Sequence, residues 1–273
     1  MRSRIEFVQS QRLPWQPHDL WGLRRGVELK TLSIDDETEA SSLLVRYPPK
    51  FSGPGGALTV DEEFLVLGGS LNVNGRTFGH LTYGHWPAGF ESSEFTSPNG
   101  AVVLTFFSGR PRRATYPTEY DARRLVEHVD AYSVPYTGNF HPQFPPGAGR
   151  KKLYLDPNTQ DTSWVLGTLP LRWADAAEVH PTVEEMYLIS GETHGDRGVM
   201  RPGAYFWRPA DAPHGPYGTL TGNLYFFRTK GGALSTQYVG PEKPFRWWPK
   251  YDPVIPQHLA AYAGEVSPAP LCW

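Results

Sequence analysis

Cysteine is all but missing from this chain, which has one, Cys272, in 273 residues. A disulfide framework within the chain is thereby excluded, and so is a zinc site built on several thiolates. No apolar run approaches the roughly 18 residues of a membrane helix. The opening Met-Arg-Ser-Arg-Ile-Glu also lacks the apolar segment of a signal peptide. A cytoplasmic protein away from membranes is the expectation. Charge of one sign is lacking as well. With 26 basic and 28 acidic residues the formal charge is −2, which speaks against a nucleic-acid surface. Arg110, Arg112 and Arg113 form only a short basic cluster, of the kind found in solvated loops.

Helical periodicity is scarce too. One segment, 118–128 (TEYDARRLVEH), reads as a short helix, with Pro117 suited to its entrance. What the chain does have is 27 prolines and 28 glycines, cutting it into short runs rich in Val, Leu, Tyr, Phe and Thr. Runs at 42–47, 63–67, 101–107, 163–169, 185–189, 204–207 and 223–228 read as strands. Short strands at regular spacing with Gly and Pro turns indicate an all-β sandwich or barrel. Asn74-Gly75 is a strong hairpin signal. Hydrophobic residues make up 39% of the chain and aromatic residues 14%, enough for packed cores.

The chain also repeats itself. Glu63-Phe64-Leu65-Val66-Leu67-Gly68-Gly69 returns as Glu185-Met186-Tyr187-Leu188-Ile189-Ser190-Gly191, an offset of 122. The same offset relates Pro48 to Pro170, Pro87 to Pro209 and Gly100 to Gly222. Two similar units follow, at 26–110 and 150–232, each of ordinary domain size. A connector at 111–149 carries the short helix and a Pro/Gly-rich stretch at 141–149. Extensions at 1–25 and 233–273 are rich in aromatics, among them Trp15, Trp21, Trp247, Trp248 and Tyr251. Such residues are expected to pack on a barrel or a partner subunit.

The copies diverge where chemistry is at stake. Glu178, His180 and His214 stand in the second copy where the first has Gly56, Leu58 and Ser92. Glu178 and His180 are two apart, so on a strand they share a face. Glu185 begins the next strand, and His214 follows the run Ala204–Pro209. If neighbouring strands face inward together, Glu178, His180, Glu185 and His214 converge. Two imidazoles with one or two carboxylates suit Fe(II), Mn(II), Ni(II) or Zn(II). Glu184 takes the slot of Glu185 if the turn is one residue shorter; alignment with Glu63 favours Glu185. Glu178 has a second reading, as a carboxylate that orients a ligand histidine. Tyr187 and Trp207 have the inward parity of a nearby ligand and are the preferred pocket-lining residues. Tyr205, Tyr217 and Tyr225 divide between core and pocket, and Arg172 and Arg208 are candidates for a substrate carboxylate. The remaining histidines, His80, His85, His128, His141 and His194, read as ordinary hydrogen-bonded residues. In the first copy a modified site of Glu63, His85 and Glu91 is the alternative to a purely structural barrel.

The order His–x4–Glu–x5–Gly, then Gly–x5–Pro–x4–His, resembles the two motifs of the cupin superfamily, and its duplication resembles a bicupin. The family's first motif has two histidines, a glutamate and a glycine, and its second adds a histidine. His180, Glu185 and His214 match ligand positions; Gly191, Gly203 and Pro209 match structural ones. Glu178 departs from the pattern, standing where the first histidine is expected, and it favours a harder divalent ion. The resemblance implies two tandem cupin-type jelly-roll β-barrels, with the metal motif kept in the second. It leaves room for a homodimer.

The expected function is a metal-dependent oxidoreductase of the dioxygenase type acting on a small aromatic or dicarbonyl compound. Fe2+ is the preferred ion, and Glu178, Tyr187 and Trp207 are the candidate catalytic residues. A fourth ligand at Glu178 would remove an open position, which argues mildly against dioxygen and substrate both binding. The alternatives are a Lewis-acid isomerase, hydrolase or lyase, with Glu178 or Glu184 as general base, and a non-catalytic small-molecule-binding protein.

Overall fold

The computed structural model describes residues 2–116, 119–138, 146–269 and 271–273. The chain divides into two compact units, one spanning 13–133 and the other 3–12 with 134–273. The described residues of both are almost wholly strand and turn, because short β-branched and aromatic runs are punctuated by Gly and Pro. No helix of the described residues is long and apolar enough to cross a membrane.

In the first unit one antiparallel sheet runs in the order Val126–Asp130, Thr82–Trp86, Glu62–Gly69, Phe95–Phe107, Ser41–Gly53, Val27–Ile34 and Gln16–His18. The hairpin Leu71–Val73/Arg76–Phe78 attaches at its side, turning on Asn74 and Gly75 at φ 53° and 68°. Two consecutive left-handed residues match the twist of the strands they join. Alternate residues such as Leu43, Val45, Phe64, Val66 and Val103 point inward and make the core.

The second unit carries a six-stranded antiparallel sheet in the order Ile5–Gln9, Ala204–Arg208, Val183–Gly191, Asn223–Lys230, Thr162–Thr168 and Ala148–Leu155. Smaller sheets join Arg172–Trp173 to Gly218–Thr219 and pair Ala177–Val179 with Gln237–Val239. Its core is built by Trp164, Leu166, Met186, Leu188 and Phe206. The segments outside the repeat are part of this packing. Ile5–Gln9 is an edge strand on Ala204–Arg208, and Tyr251 meets Phe7 edge-on at 5.2 Å.

The repeat is preserved register for register. Glu62, Glu63, Phe64 and Leu65 pair with Trp86, His85, Gly84 and Tyr83; Glu184, Glu185, Met186 and Tyr187 pair with Arg208, Trp207, Phe206 and Tyr205. Each copy shifts register at the same place, between Val66 and Gly68 and between Leu188 and Ser190. The glycines at the strand ends have a steric reason. Gly69 and Gly191 both have positive φ, and a Cβ on either would collide with the carbonyl oxygen of Gly100 or Gly222.

The segment expected to be a short connecting helix is not one. Ala122–Arg124 forms a single 3-10 turn, capped by the Asp121 side chain on the Arg123 N–H, and Val126–Asp130 is a strand. That strand pairs with the exposed edge of Thr82–Trp86, where unpaired backbone groups outcompete a marginal local helix. Pro117 and Thr118 lie outside the described residues, as does most of the Pro/Gly-rich stretch, including His141.

Candidate metal centre

Glu178 and His214 are locked side by side by their backbones. Glu178 N–H donates to the His214 carbonyl at 2.9 Å, and His214 N–H donates back at 3.1 Å. Glu178 sits in the strand Ala177–Val179, braced on its other side by Tyr238 of Gln237–Val239. Two residues on, His180 is tied through its carbonyl to the Asp211 N–H at 2.8 Å. The outcome is a cluster in which Glu178, His180 and His214 each offer a ligand atom within 4.8 Å of the others. The two rings lie 5.0 Å apart, centroid to centroid.

Hydrogen bonding decides which ring nitrogens face the cluster. His180 Nδ1 lies 2.9 Å from the Ser235 carbonyl, and His214 Nδ1 lies 3.0 Å from the Ala212 carbonyl. A carbonyl only accepts, so Nδ1 carries the hydrogen in both rings, and Nε2 is the nitrogen left to offer a lone pair to a metal. His180 Nε2 is buried without a hydrogen-bond partner. A buried orphan nitrogen with its lone pair aimed at a carboxylate and a second imidazole fits a metal ion. Burial and the nearby Arg208 charge hold His214 well below the usual histidine range, keeping it neutral and able to ligate. Burial, then the charge of Glu184, pushes Glu178 up to about 6.

Glu184 also belongs to this place. Its Oε1 is 3.6 Å from His180 Nε2, and its Oε2 is 3.5 Å from His214 Nε2 and 2.7 Å from Arg208 Nη1. Arg208 is buried and saturated, donating through Nε to Glu6 Oε2 at 2.6 Å, through Nη2 to the other Glu6 oxygen, and to the Tyr217 hydroxyl at 2.5 Å. The donors open onto a cavity of about 110 Å3. Arg150 and Arg172 lie on its wall, and Trp164 and Phe227 stack there with centroids 5.3 Å apart and planes 6° from parallel.

The structure does not bring Glu185, Tyr187 or Trp207 to the cluster. Glu185 lies on the other face of its strand, accepting from the Tyr205 hydroxyl at 2.5 Å and from Arg228 Nη1 at 2.6 Å. The Tyr187 hydroxyl is 3.0 Å from Ser10 Oγ and donates to the Cys272 carbonyl. Trp207 is held between Ile5 and Glu185 in the sheet. All three are displaced by the same one-residue shift of parity, which also turns Arg208 inward beside Glu184. Both faces of Val183–Gly191 are buried, so alternation of apolar and polar residues could not reveal the inward one. The repeat could not reveal it either. Glu62 corresponds to Glu184 as surely as Glu63 does to Glu185, and the Glu63–Tyr83 bond at 2.8 Å recurs as Glu185–Tyr205. Arg150 and Tyr238, also on the cavity wall, carried no motif signal.

In the first unit the same scaffold lacks the donors. Gly56 N–H donates to the Ser92 carbonyl at 2.8 Å, repeating the Glu178–His214 bridge. Arg24 fills the interior, forking onto Glu62 at 2.6 and 2.7 Å and donating to the Tyr47 hydroxyl at 2.9 Å; the space left is about 20 Å3. Glu63 is bonded to Tyr83, and His85 Nδ1 faces the Arg124 carbonyl at 2.9 Å, so neither joins a cluster with Glu91. Among the described residues, Glu178, His180 and His214 are the group placed to hold a metal.

Solved structures of known proteins share this fold. A Nostoc punctiforme protein described as a "putative dioxygenase" superposes with a TM-score of 0.73 at 21% identity, covering 89% of this chain and 84% of its own. Bacillus subtilis oxalate decarboxylase, described as having Mn(II) centres, gives a TM-score of 0.58 at 11% identity, covering 86% and 79%. A point mutant of the same decarboxylase gives 0.58 at 12% identity with the same coverage. At these identities the likeness is one of fold, and it defines the class: an all-β protein of the cupin-type jelly roll, here with a His/Glu donor cluster suited to a divalent metal. The chain belongs to the family described as Domain of unknown function (DUF4437), whose model matches residues 8–236. No curated protein sequence matches it.

Proposed function

We propose that the chain is a bicupin whose second barrel is a divalent-metal enzyme of the dioxygenase type, acting on a small aromatic or dicarbonyl compound. The donor set carries this reading. One carboxylate and two imidazoles converge, the ligand types of the facial triad in non-haem iron oxygenases. The resemblance to the Nostoc protein supports the reaction type, and the Mn(II) centres described for oxalate decarboxylase support a divalent ion. Fe(II) is the preferred ion, and Mn(II), Ni(II) and Zn(II) suit the same donors.

Bound there, such an ion would act as a Lewis acid and, as iron, as a redox centre for dioxygen. The chain's own groups do the rest. The Ser235 and Ala212 carbonyls fix the imidazole tautomers. Arg208 holds one oxygen of Glu184 and leaves the other beside His180, where a carboxylate can accept a proton from an acidic substrate. Trp164 and Phe227 give the cavity an apolar wall that excludes water from one side of a substrate. The same position of Glu184 favours a second reading, a Lewis-acid lyase, hydrolase or isomerase with Glu184 as base.

Oxygen uptake separates the two. Protein purified anaerobically and loaded with Fe(II) is expected to consume dioxygen with members of a panel of phenolic and dicarbonyl compounds, and His180→Ala and His214→Ala are expected to lose both metal and uptake. Metal binding without oxygen consumption across the panel would favour the Lewis-acid reading. Failure of the native protein to bind any of the four ions would overturn both.

A further inference from the structure

The charges around the cavity constrain what it receives. Glu178 and Glu184 lie on the wall, and Glu6 is bonded directly to the wall residue Arg208. Against these three carboxylates stand three guanidiniums, those of Arg150, Arg172 and Arg208. Arg4, 3.6 Å from Glu6, and Asp196, which interacts with Arg208, add one more charge of each sign, so these groups are matched in number. A divalent ion held by Glu178, His180 and His214 therefore adds two positive charges that no protein group around the cavity neutralises. In a site this enclosed, an unmatched double charge is strongly unfavourable until an anion arrives.

Two of the three wall arginines come from separate strands of their own. Arg150 is on Ala148–Leu155 and Arg172 is on Arg172–Trp173. Arg208 is fully engaged by Glu6, Glu184 and Tyr217 and is buried. Arg150 lies over the Trp164 ring, 4.6 Å from its centroid, and Trp164 in turn stacks on Phe227. Cation and aromatic rings thus lie together on the cavity wall. Burial lowers both Arg150 and Arg172 from the usual arginine value, and the charge of Glu178 only partly offsets this in each. Two of the three wall tyrosines have protein partners for their polar tips: the Tyr225 hydroxyl is 2.6 Å from Thr193 Oγ1, and Tyr217 meets Arg208.

Resting on the metal-centre reading above, we infer that the substrate class is a small planar carboxylate carrying a second acidic oxygen, such as a hydroxy-aromatic acid or an enolisable dicarbonyl acid. Its carboxylate pairs with Arg150 and Arg172, its plane lies along the Trp164–Phe227 wall, and its second oxygen faces the Glu178–His180–His214 donors. Its hydroxyl or enol proton passes to Glu184 and on to water, and the dianion that remains cancels the charge that the ion brings. Guanidinium forks suit a carboxylate better than a phenol, which offers one oxygen.

Salicylate, benzoate and phenol serve as probes, with binding to the Zn(II)-loaded full chain followed by calorimetry and metal content measured on every sample. Salicylate is expected to bind at least tenfold more tightly than phenol, with benzoate between them. Arg150→Met and Arg172→Met are each expected to weaken salicylate tenfold or more at unchanged metal content, leaving phenol unaffected. Arg172→Lys, which keeps the charge but loses the fork, is expected to recover part of the loss. A metal-loaded protein that binds phenol as well as salicylate, or arginine variants that bind salicylate like the native protein, would overturn the inference alone. A protein that takes up no metal would overturn the proposed function and the dianion with it.

Discussion

Two backbone carbonyls, those of Ser235 and Ala212, determine which nitrogen of each site imidazole is available, and so they define the centre as much as the histidines do. Around them the two adjacent glutamates have separate tasks. Glu184 faces the imidazoles, whereas Glu185 neutralises the buried Arg228. Glu185→Ala is expected to lower unfolding free energy in denaturant by about 3–5 kcal/mol, because it strands a buried cation, while metal content stays the same. Glu178→Gln is expected to do the reverse, with near-native stability and metal lost. Raised to about 6, Glu178 competes with a proton for the ion. Metal affinity measured by titration is therefore expected to fall as pH drops below 6, by up to about tenfold per unit for one displaced proton. Glu178, His180 and His214 were legible in the sequence because the repeat supplied a blank copy, with Gly56, Leu58 and Ser92, to compare them with. Glu184 was legible only as the alternative to Glu185, because a strand buried on both faces conceals its parity and because both glutamates recur in both copies.

At the scale of elements, the edge strand Ile5–Gln9 does more than extend a sheet. It delivers Glu6 to Arg208, which holds Glu184 beside the imidazoles. Glu6→Gln is expected to weaken metal binding by about 10–100-fold, the usual effect of losing a group that orients a metal site, as read by competition with a chelator; unchanged affinity would show that Arg208 holds Glu184 without help. The segment after the second repeat is equally part of the site, since Gln237–Val239 braces Glu178 and Ser235 fixes His180. Neither contribution could be read from composition, where both segments are merely aromatic-rich extensions. The strands were legible because Gly and Pro mark their ends. The segment 118–128 was misread because its local helical pattern gives way to an open sheet edge, a non-local feature.

At the scale of the whole molecule, duplication has kept the ladder and divided the chemistry. Pairings, register shifts and strand-end glycines recur at the 122-residue offset, yet one interior holds the donor cluster and the other a buried Arg24–Glu62 pair. Arg24→Met is expected to destabilise the protein by about 3–5 kcal/mol through the stranded Glu62, without changing metal content or oxygen uptake. The most direct test of this division is the metal stoichiometry of the native protein, determined by elemental analysis after anaerobic loading. One divalent ion per chain is expected, falling to none in His180→Ala; two ions per chain, or one that survives the loss of His180, would contradict it.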